Sequence, residues 1–156
     1  MSSATLNIPV SAVAASKDEA EILAVVEILR QAHYNHNAAA FAAQFDPDAA
    51  IYNLAPPLAH HGVDLAEKQA WFDSWATPVE IDTCDFKVTV GGDFAFCHGF
   101  MRMRGTKKGA DYGVDFWMRE TLCLERRQSE WKIVHEHTSV PFYMDATLRP
   151  AFDLQP

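Results

Sequence analysis

From Val79 onward the chain reads as successive strand-like runs: Val79 to Val90, Phe94 to Arg104, Asp111 to Arg126 and Glu130 to Val140. The turn pairs Gly91-Gly92, Lys108-Gly109 and Gln128-Ser129 join them. Nothing upstream shares that pattern. Ser16-Lys17-Asp18-Glu19 has the spacing of a capping box, in which the serine hydroxyl accepts from the third helical N–H. Behind it Ile22, Val25, Val26 and Leu29 recur at helical spacing, which predicts a helix over Lys17 to His33. A short helix from Ala38 to Gln44 follows Asn37, presents Phe41 and Phe45, and is broken by Asp46-Pro47-Asp48. Ala49 to Leu54 reads as a strand ended by Pro56-Pro57, which cannot continue a ladder. Asp64 then caps a third helix with Trp71, Phe72 and Trp75 on its apolar side, and Pro78 closes it. Helices first and hairpin-linked strands afterwards predict an α+β domain rather than a parallel α/β sheet.

Composition narrows the function classes. With 156 residues, 49% of them hydrophobic, the chain can bury a core. A net charge of −8, with Lys107-Lys108 and Arg126-Arg127 as the only basic runs, argues against nucleic acid as a partner. No apolar run approaches the roughly 20 residues that cross a bilayer, so no membrane partner is expected. Cys84, Cys97 and Cys123 are odd in number and lack zinc spacing, the pattern of a reduced, cytoplasmic protein. Residues 1–16 lack the build of a signal peptide and read as a flexible arm, or a strand that packs on a neighbour. Residues 17–142 form the domain and 143–156 a C-terminal tail.

Chemistry is sought first on the last strand. Strict alternation puts His135, His137 and Ser139 on the face of the apolar Trp131 and Ile133, and sends Lys132 and Glu136 to water. Interior imidazoles suit acid–base work, or else hold the strand in register. On the preceding strand Asp115, Trp117, Arg119 and Thr121 share one face, while Val114, Phe116, Met118 and Leu122 share the other. Periodicity leaves open which face lines an interior. Arg119 is either an anion anchor or the structural partner of Asp115 or Glu136. His98 sits in an aromatic stripe with Phe94, Phe96 and Phe100, as packing or as a further pocket group. Tyr52, Asn53, Trp71 and Trp75 are candidate walls for a small organic ligand, with plain core as the alternative for the tryptophans. His60-His61 is too few ligands for a metal unless His135 and His137 converge on it, and no metal or other cofactor is expected.

Several phrases together resemble a known group. Phe45-Asp46-Pro47-Asp48-Ala49-Ala50, Pro56-Pro57-Leu58 and His61-Gly62 lead into Trp71 to Trp75. Gly92-Asp93-Phe94-Ala95-Phe96-Cys97-His98-Gly99, Trp117-Met118-Arg119-Glu120-Thr121 and the run from Trp131 to Phe142 follow. Over about Asp18 to Phe142 the chain resembles the SnoaL-like, ketosteroid-isomerase-homologue branch of the nuclear transport factor 2-like superfamily. The resemblance implies a cone-shaped (cystatin-like) α+β fold, three N-terminal helices on a curved antiparallel sheet, and a homodimer. It also implies a cofactor-independent isomerase, cyclase or dehydratase acting on a small, partly apolar carbonyl or aromatic compound; a non-catalytic binding or dimerisation module of the same fold is the alternative. The steroid-isomerase pattern of Asp base, Tyr and protonated Asp is not matched: Asn53, Leu29 and Thr121 stand near those three places. Acid–base work then falls to His137, His135 or Asp115, with Arg119 stabilising negative charge and Thr121, Ser139 and Tyr52 as orienting donors.

Overall fold

The computed structural model describes residues 16–156; the arm expected at the start lies outside them, apart from Ser16. That residue caps helix α1 (Lys17–Tyr34), its Oγ accepting from the Glu19 amide at 3.2 Å. Asn37 caps α2 (Ala38–Ala42) through the Ala40 amide, and Asp64 caps α3 (Leu65–Asp73) through the Glu67 amide at 2.8 Å. Each cap satisfies a helical N–H that has no partner within the helix.

The strands are β1 (Phe45–Tyr52), β2 (His60–His61), β3 (Glu80–Gly91), β4 (Phe94–Gly105), β5 (Val114–Arg127) and β6 (Glu130–Ser139). They form one sheet in the order β2-β1-β6-β5-β4-β3. All pairings are antiparallel except β1 with β6, which run parallel. The second helix stops at Ala42, short of the expected Gln44, so Asp46-Pro47-Asp48 does not end it; the strand begins at Phe45 and bulges through this segment, resuming its register at Ala50 opposite His135. Proline has no N–H for the ladder, so a bulge is where a strand tolerates it. Two-residue β2, in a stretch that reads as loop, pairs with Ala50 and Ile51.

One face of the sheet meets the helices. Ile22, Val25 and Leu29 of α1 share a buried cluster with Phe72, Leu122 and Ile133. A smaller cluster of Trp75, Val79 and Ile81 continues toward Met101, Met103 and Val114. The tail turns back: the Ala151 amide donates to the Pro141 carbonyl at 2.8 Å, and Phe152 packs 4.7 Å from Phe116 between ring centres.

Gly62 holds the β1 bulge against β2. Its φ is +67°, its amide donates to the Ala49 carbonyl at 2.8 Å, and a Cβ there would lie 2.2 Å from the Pro47 carbonyl oxygen. Gly62→Ala therefore meets a left-handed backbone penalty and a backbone clash together. We expect a loss of at least about 2 kcal/mol in urea unfolding; an unchanged midpoint would contradict this packing.

Candidate functional site

The inner face of the sheet and the three helices enclose a cavity of about 600 Å³, within the range of small-ligand sites. Its wall is mostly apolar: Leu29, Phe41, Trp71, Trp75, Met101 and Met118 among others. Set into that wall are Glu120 of β5 and Glu136 of β6, with Lys68 of α3 and His33 of α1.

A bulge decides which residues of β6 face inward. Leu124 stands opposite Ile133, yet the next position, Cys123, stands opposite His135, so Val134 is an extra residue. The alternation resets there. Trp131 and Ile133 are buried before the bulge, Glu136 and Thr138 after it. Glu120 pairs in register with Thr138, and Leu122 with Glu136, which makes the two glutamates diagonal neighbours within reach of long side chains. Glu120 is 6% exposed and Glu136 8%. No donor among the described residues hydrogen-bonds either carboxyl group.

Burial pushes the Glu120 carboxyl up to about 8, and the charge of Glu136 adds to that. Burial also raises Glu136, but the Lys68 ammonium opposes the shift. The Lys68 ammonium thus favours the ionised form of Glu136, and a charge on Glu136 favours the proton on Glu120. Lys68 is lowered to about 8, chiefly because its amine is desolvated, with the Glu136 charge working the other way.

The Lys68 amine lies 3.9, 4.5 and 4.8 Å from the ring centres of Phe41, Trp71 and Phe72. His33 meets the same three rings edge-on, at 5.2, 6.0 and 5.5 Å. Its Nδ1 lies 2.8 Å from the Leu29 carbonyl; a carbonyl only accepts, so this nitrogen carries the hydrogen. Burial, then the charge of Lys68, lowers His33 to about 3, so the ring is neutral and Nε2 is left as an acceptor.

Of the residues singled out from the sequence, Asn53, Trp71 and Trp75 line this cavity, and His60 stands at its rim. His135, His137, Arg119, Asp115, Trp117, Thr121, Ser139, Tyr52 and His98 do not. They stand on the opposite face of the sheet, for two reasons. The Val134 bulge reverses the expected sides of β6, and the Met118–Leu122 face of β5 is the one turned to the helices. Their contacts are local. The Tyr52 ring lies 4.9 Å from His135 and 5.7 Å from His137, and His135 Nδ1 bonds the Ala50 carbonyl at 2.8 Å. Asp115 accepts two hydrogen bonds from Arg102, at 2.7 and 2.8 Å, while Arg102 sits over Trp117 and His98 stacks on Phe96. Arg119 stands between Phe100 and Ser139 in the ladder, Thr121 between His98 and His137. Glu136, expected in water, is buried instead.

The cavity's own polar groups left signals that went unused. Lys68 shares the helical stripe of Trp71, Phe72 and Trp75, at three, four and seven residues' spacing. His33 follows Ile22, Val26 and Leu29 on the apolar side of α1, and Glu120 interrupts the apolar series Val114, Phe116, Met118, Leu122 and Leu124. A titratable residue in an apolar stripe is the mark they share.

Helices closing one face of a curved, open six-stranded sheet around an internal cavity define a cone-shaped α+β domain. The family profile described as SnoaL-like domain matches residues 22–143, and the chain belongs to that family. Its fold is that of an NTF2-like protein of unknown function from Pseudomonas putida KT2440, at 26% identity and a TM-score of 0.78, over 89% of this chain and 96% of that one. A protein from Shewanella frigidimarina, provisionally assigned as a ketosteroid isomerase, shares the fold at 21% identity and a TM-score of 0.61, over 74% and 92% of the two chains. A provisionally assigned scytalone dehydratase from Novosphingobium aromaticivorans does so at 10% identity and a TM-score of 0.69, over 85% and 90%. No curated protein matches the chain.

Proposed function

We propose that the chain is an acid–base enzyme of isomerase or dehydratase type acting on a small, partly apolar carbonyl compound, with Glu136 as base and Glu120 as acid. The observation that carries this reading is the glutamate pair: two buried carboxyl groups on neighbouring strands, open to the cavity and without a donor among the described residues. Environments that split the affinities of two like groups are how one site holds a base and an acid at the same pH. Glu136 removes a proton from the carbon next to the carbonyl. The C–H pair becomes the new C=C bond, and the carbonyl oxygen takes the proton of Glu120, giving an enol. Return of the Glu136 proton to another carbon is isomerisation; its transfer to a β-hydroxyl that leaves as water is dehydration, and in both Glu120 takes back the enol proton as the C=O bond re-forms. The neutral His33 offers Nε2 to a ligand hydroxyl, and the aromatic and methionine walls hold the apolar part.

The fold shared with the provisionally assigned isomerase and dehydratase supports this choice of reaction class. Cyclohexanone in deuterated buffer provides the test. Wild-type protein is expected to speed exchange of the α-protons, and Glu136→Gln to slow it by about 10²–10⁴-fold, the usual range for a lost general base. Exchange that is the same with and without the protein would leave a pure binding role.

The opposite face of the sheet suits a second copy of the chain. Phe94, Phe96 and Tyr52 are 62%, 45% and 41% exposed there, beside the polar set of His135, His137 and Arg119. Light scattering that reports a monomer at micromolar concentration would remove this proposal. The free thiols of Cys84, Cys97 and Cys123 fit a reducing, cytoplasmic setting, and no helix among the described residues is long and apolar enough to cross a membrane.

A further inference from the structure

Lys68 and Lys107 both line the cavity with their amines over aromatic rings, Lys107 at 5.5 and 4.8 Å from Trp71 and Trp75, but they differ in their partners. Lys107 hydrogen-bonds Ser74 Oγ at 3.0 Å, Lys132 bonds the Ala43 carbonyl at 2.8 Å, and Lys17 lies beside Glu21. Lys68 has neither a hydrogen bond nor an ion pair within 4.0 Å among the described residues, although its amine lies among three aromatic rings on the cavity wall. Across the cavity stand the two carboxyl groups that the reaction above already uses.

A desolvated amine in an apolar pocket is how a lysine becomes a nucleophile at neutral pH, because burial disfavours the ammonium form. The lowering of Lys68 to about 8 agrees with that placement.

We infer that Lys68 forms an imine with the carbonyl compound bound in this cavity. The inference rests on the reading of the cavity as a carbonyl site and adds a covalent step to it. The neutral amine attacks the carbonyl carbon. As the C–N bond forms, the π pair of the C=O bond moves to oxygen, which takes the proton of Glu120, while Glu136 takes a proton from the nitrogen. The resulting carbinolamine loses its hydroxyl as water, the departing oxygen taking the proton held by Glu136. The nitrogen lone pair closes the C=N bond. A protonated imine remains between two carboxylates, and its α-protons are more acidic than those of the free ketone. Water reverses the sequence and releases the product.

The test is reductive trapping on the full chain with cyclohexanone and sodium cyanoborohydride, which reduces the imine to a stable secondary amine. Peptide mapping by mass spectrometry then gives the labelling rate of each lysine. We expect Lys68 to be labelled about tenfold or more faster than the exposed Lys17 and Lys108, and the fast phase to vanish in Lys68→Met. Labelling of Lys68 no faster than of those two would overturn the inference. The wild-type map decides this alone, whether or not the variant folds. Deuterium exchange separates the two proposals: exchange without trapping at Lys68 leaves the acid–base reading standing and removes the imine, whereas trapping without exchange does the reverse.

Discussion

Glu120→Gln is expected to make the protein more stable at pH 8 while it slows catalysis. The ordinary glutamate value is 4.5, and in the fold Glu120 stands at about 8, raised first by burial and then by the charge of Glu136. Below 4.5 both the folded and the unfolded chain carry the proton, so ionisation costs nothing. Between 4.5 and about 8 the unfolded chain gives the proton up and the folded chain keeps it, so stability falls as pH rises. Glutamine has the shape of the neutral acid and removes that fall. The variant should match wild type near pH 4.5 and exceed it at pH 8 by up to about 4 kcal/mol, the upper figure from the linkage of pKa to stability. Of the nearby groups, Glu136 is also raised by burial and acts in the same direction, and it remains in the variant; Lys68 and His33 act in other directions or windows. Lys68, lowered to about 8, adds stability as pH rises from there toward 10.5, and His33, lowered to about 3, removes it as pH falls from 6.5. Both remain in the variant, so the difference between the two proteins isolates Glu120. Urea unfolding at the two pH values measures it. Parallel pH dependence of wild type and variant would mean that Glu120 is ionised in the fold, and the acid role would go with it.

Phe72→Ala is expected to cost about 3–5 kcal/mol, the range for removing a buried phenylalanine where the surroundings cannot collapse. Phe72 is fully buried. Its ring touches His33 at 5.5 Å, His36 at 5.7 Å and Trp71 at 5.3 Å between centres, and the Lys68 amine lies over it. These neighbours come from both α1 and α3, so no single movement refills the space. The same ring keeps water from Lys68 and His33. Its loss should also bring Lys68 back toward an ordinary lysine and slow the trapping reaction by cyclohexanone. Guanidinium unfolding gives the first quantity and peptide mapping the second. A loss under about 1 kcal/mol would show that α3 is not anchored through this ring.

Much of the architecture was legible before any coordinates, because it depends on near neighbours. Ser16 and Asp64 cap their helices through amides three residues away. The pairs Gly91-Gly92 and Gln128-Ser129 turn one strand into the next, and Gly92, Gln128 and Ser129 all take positive φ. These are local facts of backbone chemistry, and the order of helices and hairpins follows from them. The resemblance to SnoaL-like proteins rested on that order and on short phrases around it.

The candidate site was far less legible. A strand's alternation says which residues share a face, and the side that face takes is set by what packs against it. On β5 both faces carry large apolar groups, Trp117 on one and Met118 with Leu122 on the other, so only the helices' position identified the inner one. On β6 the alternation itself failed at Val134, because a bulge belongs to the register between two strands and leaves no mark in either alone. One extra residue moved His135 and His137 out and brought Glu136 in. Sequence alone determined the helices and long strands, though not β2 or the start of β1, together with their order, the helix caps and the α+β class, since these follow from contacts a few residues apart. Tertiary structure decided which titratable groups were set among apolar ones. Desolvation of Glu120, Glu136, Lys68 and His33 depends on the apolar groups that distant segments bring around them, and it is that loss of water which turns four ordinary side chains into a candidate site.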